Sequence, residues 1–250
     1  MPTHLPTFEP VRRPQTAVDA CVDALHDAIF DGRLPALARL PAERALAAQF
    51  GVNRTTLRAA LGRLEARGLI IGRHGSGYTV QDFVRSGGPE LLPGVAEQAR
   101  KVGGLEPIVV DLLAMRRHLA AAVFEKLAAL PCADTTALDD AIDAMDSAVK
   151  SGAEPKTIAD ADLLVLAAVL DLTGSAVMRM CFNPVAGVVH DLPELSDAMY
   201  ADAGPNVDGW RALVAWLQLP TPRVVAPIAA LLAARDDITL RRFRRAIGAS

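Results

Sequence analysis

The residues best suited to chemistry lie close together in sequence. Arg44, Asn53, Arg54, Thr55, Thr56 and Arg58 fall within fifteen positions, and His74, Gly75 and Gly77 follow shortly after. Arginine forks onto phosphate and onto guanine. Hydroxyls and carboxamides add shorter hydrogen bonds to phosphates and base edges. Cations at a helix N-terminus oppose the helix dipole, so Arg54 and Arg58 there make sense if an anion arrives from outside. The chemistry these types suggest is therefore nucleic-acid binding. Catalysis has no comparable support: no Walker loop, GxSxG, HExxH or GxGxxG occurs.

The elements that must position these side chains can be read from spacing. Val18, Val22, Leu25 and Ile29 recur at helical intervals, and Gly32 ends that helix. A second helix begins at Pro41 and carries Leu46 and Phe50. Gly51-Val52-Asn53 is a tight turn, and a third helix runs from Arg54 to Arg67 with Asn53 as N-cap and Gly68 as its stop. Leu57, Leu61 and Leu64 face its core side, leaving Arg54, Thr55 and Arg58 opposite. The pair is a helix-turn-helix. Two β-prone runs, 69–73 and 78–80, flank a Gly-rich tip and predict a hairpin wing with Arg73 and His74 at its end.

Charge divides along the same line. Residues 32–85 hold nine arginines against three acids, whereas residues 86–250 hold six more acids than bases. The net charge of −3 hides this split. No lysine precedes Lys101. A GC-rich genome explains the choice of arginine but not the scarcity of acids in this stretch.

The run LPAERALAAQFGVNRTTLRAALGRLEARGLI, followed by RHGSGYTV, resembles the winged helix-turn-helix of GntR-superfamily transcription regulators, nearest to the FadR subfamily. The resemblance implies that Arg44 contacts DNA. It also implies that Arg54, Thr55, Thr56 and Arg58 enter the major groove, and that His74 and Gly75 reach the minor groove. Two departures stand out: Pro35-Ala36-Leu37-Ala38 replaces a Pro-Gly-Asp/Thr turn, and Arg58-Ala59-Ala60-Leu61 replaces Arg-Glu-Ala-Leu.

The remainder is rich in alanine, 45 in the whole chain, and only 4% of the chain is aromatic. That composition favours helices over an all-β fold. Helical patterns cover about 91–103, 107–130, 136–150, 158–173, 175–190, 207–218 and 223–246, the last with a break near Asp236-Asp237. Thr135 or Thr136 and Asn206 are expected as caps, and Pro184 as a bend or break. The fold class expected is mainly α: an N-terminal winged helix-turn-helix with a small hairpin wing, then an antiparallel helical bundle. The domains expected are 10–83 for DNA, a linker at 84–90, and 91–248 for ligand binding and dimerisation.

The segments DLLAMRRHLAAAVFEKLA and DADLLVLAAVLDLTGSAVMRMCFNPV resemble the effector-binding domain of the same subfamily. Many such domains hold a metal through Asp-x-x-x-His and two further histidines. Here Leu166 follows Asp162 at that spacing, and His118 and His190 do not fit. No metal or other cofactor is expected, and Asp162 reads as an ordinary cap or surface acid. Arg116 is the candidate ligand contact, pointing inward to a carboxylate or phosphate, with Arg117 turned away. Trp210 and Trp216 read as core, and Arg241–Arg245 as a cluster complementing a helix C-terminus.

Three scattered cysteines suggest neither a disulfide framework nor a zinc site, so a cytoplasmic home is expected. No apolar run reaches the ~20 residues of a membrane helix, and the N-terminus lacks a secretory h-region. The sequence thus points to a non-enzymatic, ligand-responsive regulator. It would bind a double-stranded operator as a homodimer, as a repressor, with acyl-CoA or a fatty acid as effector. A small carboxylate effector, with or without metal, and a non-specific architectural DNA binder are the alternatives.

Overall fold

The computed structural model describes residues 16–73, 77–129, 134–218 and 225–248. The first helix, α1 (Ala17–Phe30), is started by a reciprocal capping box: Thr16 accepts from the Asp19 amide, and the Asp19 carboxylate accepts from the Thr16 amide. Its apolar stripe, Cys21, Val22, Leu25 and Ile29, is buried. Helix α2 (Glu43–Phe50) ends at Gly51, whose φ of +64° is the left-handed conformation that lets the chain reverse before α3 (Arg54–Ala66). The expected stripe of α3, Leu57, Leu61 and Leu64, is buried against α1 and α2.

Strands β1 (Ile70–Arg73) and β2 (Gly77–Val80) pair antiparallel, with Ile70 opposite Val80 and Arg73 opposite Gly77. The far edge of β2 is also occupied. Leu37 N–H donates to Val80 O at 3.0 Å, Val80 N–H to Ala38 O at 2.9 Å and Leu40 N–H to Tyr78 O at 2.9 Å. The loop before α2 thus serves as a third, irregular strand. It turns at Leu37, a non-glycine residue at φ +66° whose side chain is 76% exposed. This is where the expected departure from the Pro-Gly turn takes effect.

The chain divides between Leu91 and Leu92 into two units. Residues 84–90, expected as a linker, carry most of a short helix α4 (Phe83–Ser86) and a 3-10 turn (Pro89–Leu91). Leu91 is buried in the core of the first unit.

The second unit is helical among the described residues: α5 (Leu92–Lys101), α6 (Leu105–Ala128), α7 (Thr136–Lys150), α8 (Pro155–Leu172), α9 (Ala176–Asp191), α10 (Pro193–Tyr200), α11 (Gly204–Leu217) and α12 (Val225–Ala246). Helix α7 packs on α8 and α11, and α12 packs on α6 and α10. Leu113, Leu127, Met145, Val165, Val188, Leu195 and Phe243 lie in one continuous core.

Four expectations for this unit are corrected. Helix α10, not foreseen, opens with Pro193 in its first turn, where a missing N–H costs nothing. Helix α12 runs unbroken through Asp236-Asp237, because Asp236 is wholly buried by partners on another helix. Of the bend or break expected at Pro184, the break does not occur: α9 continues through it. Helix α11 starts at Gly204 with Pro205 in its first turn, so Asn206 is not its cap; its carboxamide oxygen accepts from Arg235 instead. At α7 the N-cap is Thr135, one of the two residues expected, but its side chain makes no cap; the Asp134 carboxylate accepts from the Thr136 amide at 3.0 Å. Thr135 bonds Asp139 instead. No described helix is long and apolar enough to cross a membrane.

Candidate nucleic-acid interface and a buried polar cluster

Asn53 caps α3, its side chain accepting from the Thr56 amide at 2.8 Å. That bond uses one of the free donors at the helix start and leaves the others facing outward. The first turn of α3 contains no acid. Arg54, Thr55 and Arg58 are exposed, and Thr56 is half-buried. Arg44 is exposed on the second position of α2. Gly77 opens β2 at φ +75°, a backbone that favours glycine. His74 and Gly75 lie outside the described residues.

Helix α3 is fixed at three points, none of them anticipated from the sequence. Arg58 Nε donates to Glu43 Oε2 on α2 at 2.7 Å. Arg63 Nη1 donates to Asp19 Oδ1 on α1 at 2.5 Å. The carboxylate of Glu65 accepts from the Gly72 amide of the wing at 2.7 Å. Asp19 therefore has three donors. The Thr16 hydroxyl, the Thr16 amide and Arg63 hold its carboxyl down at about 2. The Tyr78 hydroxyl on β2 is pushed up, first by burial, then by the charges of Glu65 and Glu43, with Arg58 opposing.

The helical unit contains a polar cluster inside its apolar core. Asp162 on α8 accepts from Tyr200 Oη on α10 at 2.7 Å and from Trp210 Nε1 on α11 at 2.5 Å. It is a partly buried hub, not the cap or surface acid expected. Burial raises its carboxyl, opposed by the donors Tyr200 and Trp210 and by the charge of Arg116. Burial and the adjacent carboxylate push the Tyr200 hydroxyl well up. Trp210 packs on the core, as does Trp216, which meets Phe124 edge to face.

Arg116 and Arg117 both reach one carboxylate. Arg116 Nη2 bonds Asp236 Oδ1, and Arg117 Nη1 bonds Asp236 Oδ2 at 2.7 Å. The expectation that only Arg116 turns inward is corrected: arginine is long enough for neighbours on a helix to converge on an acid between them. In the cluster Arg241–Arg245, Arg244 and Arg245 lie in the last turn of α12, as expected of residues complementing a helix C-terminus, and Arg244 also pairs with Glu106.

The donor set does not suit a metal. The Asp162 carboxylate is taken by a phenol and an indole, and apolar Leu166 follows one turn later. Among the described residues no group of three or more His, Cys, Asp or Glu is gathered. An open, largely apolar groove of about 290 Å³ lies between α8 and α9, lined by Leu163, Leu166, Leu170, Phe182 and Arg179 among others.

Known proteins share features with this chain at four points. Residues 18–80 match the family described as bacterial regulatory proteins, gntR family. An HTH-type transcriptional regulator of Mycobacterium tuberculosis is 33% identical over 187 residues, 73% of this chain and 72% of that protein. The fatty acid metabolism regulator protein of Vibrio vulnificus is 37% identical over 91 residues, covering 36% of this chain and 32% of its own length. Among solved structures, that of Lar, described as controlling the agr system of Listeria monocytogenes, has a TM-score of 0.50 at 17% identity over 95% of each chain. It supports the fold alone.

Proposed function

The chain belongs to the GntR family of bacterial regulatory proteins and is a DNA-binding transcription regulator, and from that premise we propose that it is a cytoplasmic, ligand-responsive repressor acting as a homodimer on an inverted-repeat operator. The observation that carries the reading is the start of α3. Arg54, Thr55 and Arg58 stand exposed on a helix capped by Asn53 with no acid in its first turn. Such a surface suits phosphates and base edges in a major groove.

In this reading Arg44 serves the phosphate backbone, and Asn53 and Thr56 set the start of the reading helix. The wing residues His74, Gly75 and Gly77 approach the minor groove. A two-fold dimer reads two half-sites of opposite direction. An effector in the helical unit controls DNA affinity by binding the DNA-competent and DNA-incompetent states unequally.

The apolar lining of the α8–α9 groove supports an acyl-CoA or fatty acid as effector, and the name of the Vibrio relative points the same way. A small carboxylate is the second reading, favoured by the Arg116–Asp236–Arg117 group. There a ligand carboxylate would meet the parts of Arg116 and Arg117 that remain exposed beside Asp236.

The test is fluorescence anisotropy at fixed salt on duplex DNA from upstream of the protein's own gene, with and without a long-chain acyl-CoA. Tight binding that resists random competitor DNA and is released by the acyl-CoA is the expected result. Equal affinity for random duplex would refute the operator reading in favour of an architectural role. Tight binding indifferent to acyl-CoA would refute that effector. Arg54→Ala and Arg58→Ala should each abolish specific binding while leaving a folded dimer.

A further inference from the structure

The acid bonded to the proposed reading surface is Glu43. It stands in the first turn of α2, and its carboxylate holds Arg58 Nε at 2.7 Å across fifteen positions of sequence. Arg58 is 66% exposed at its side chain and Glu43 only 28%. The pair thus consists of an anchored acid and an outward base. The bond is made at Nε, so the Nη1–Nη2 end of the guanidinium is the edge left for a bidentate acceptor. Guanine offers that acceptor through O6 and N7 in the major groove.

An acid in this place needs a reason, because it repels the phosphate backbone. One reason is the α2 dipole: the N-cap, Ala42, makes no side-chain cap, and an acid in the first turn compensates. That explains an acid but not its reach to α3. The second reason is pre-organisation. A free arginine loses rotamer freedom when it docks, and one already held at Nε loses less.

We infer that Glu43 is a positioning residue for base discrimination, holding the Arg58 guanidinium so that its terminal fork meets one base pair. This rests on the operator reading above. Tyr78 adds a check on the geometry: its hydroxyl responds to the charges of both Glu43 and Arg58, so the β2 side of the wing lies within electrostatic reach of the pair.

The test uses the full chain and a random-sequence duplex library. Sites are selected with the unaltered protein. Affinity is then measured for the selected duplex and for versions substituted one base pair at a time. Glu43→Asp keeps an acid for the helix dipole but is one methylene too short to hold Arg58. Glu43→Gln keeps the length and an acceptor oxygen.

Glu43→Asp and Glu43→Ala should lower discrimination at one base pair about tenfold while sparing other positions. Glu43→Gln should retain most of it. Arg58→Lys keeps the charge but has neither an Nε to be held nor a fork to present; it should lower discrimination at the same base pair, and adding Glu43→Ala to it should bring no further loss there. Uniform weakening at all positions, unchanged discrimination, or an equal loss on adding Glu43→Ala to Arg58→Lys would overturn the inference. A selection that enriches no sequence refutes the operator reading itself. A consensus read equally well by the Glu43 variants refutes only the role of Glu43.

Discussion

Replacing Asp236 with alanine should destabilise the helical unit by about 3 kcal/mol. The Asp236 side chain is fully buried, and its two oxygens are each bonded to one arginine, on α6 and across from α12. Removing the carboxylate takes away two charge-assisted hydrogen bonds, at roughly 1.5–3 kcal/mol each. It also leaves two guanidiniums facing a void without a counter-charge. Losing one partner of a fully buried ion pair costs about 3–5 kcal/mol. Arg116 and Arg117 keep 26% and 29% of their side-chain surface, so water can reach part of each cation and the low end applies.

Arg117→Ala leaves the Arg116–Asp236 bond in place and should cost roughly half as much, about 1.5 kcal/mol. Both tryptophans of the chain, Trp210 and Trp216, lie on α11. Tryptophan fluorescence during urea unfolding therefore follows the helical unit without signal from the first. In a thermal melt, 3 kcal/mol corresponds to a fall of roughly 6–12 °C. A loss under about 1 kcal/mol for Asp236→Ala, or equal losses for Asp236→Ala and Arg117→Ala, would refute the reasoning that this carboxylate is a shared hub.

Two further outcomes are expected. Leu37→Gly relieves a side chain at φ +66° that buries little surface; the strain relieved, about 1–2 kcal/mol, exceeds the extra chain entropy of glycine, so unfolding of the first unit should move to higher urea by circular dichroism. Asp19 is held near 2 when folded, below its usual 3.8, so its stabilising contribution is full above that usual value and fades as pH falls towards 2. Asp19→Ala should therefore be less stable at neutral pH and lose less between pH 4 and 2, as read from urea midpoints.

The first unit was legible because its signals are local. Gly32 at the end of α1, Asn53 before Arg54, and Gly51 and Gly68 at turns each act within a few residues of the element they define. The reading surface followed from the same helix, since burial of Leu57, Leu61 and Leu64 leaves one face for Arg54, Thr55 and Arg58. What escaped depends on distant partners. Asp162 meets Tyr200 and Trp210, 38 and 48 positions away. Asp236 stays helical and buried because Arg116 and Arg117, about 120 positions earlier, supply its counter-charge. Side-chain pairs such as Glu43 with Arg58 carry no periodic signature, and α10 is too short for its stripe to stand out after Pro193.

The three anchors of α3 bear on how such a protein can change its target over generations. Each uses a residue at the edge of the exposed face: Arg58 towards α2, Arg63 towards α1 and Glu65 towards the wing. Arg54, Thr55 and Ala59 lie outside these bonds and are exposed, and a side chain added at Gly62 meets nothing within 4 Å. Substitutions there leave those three bonds, and so the frame that presents this face, untouched. The frame of the helix and the residues it displays can thus be inherited separately, and the displayed face can change by single steps that leave the fold intact.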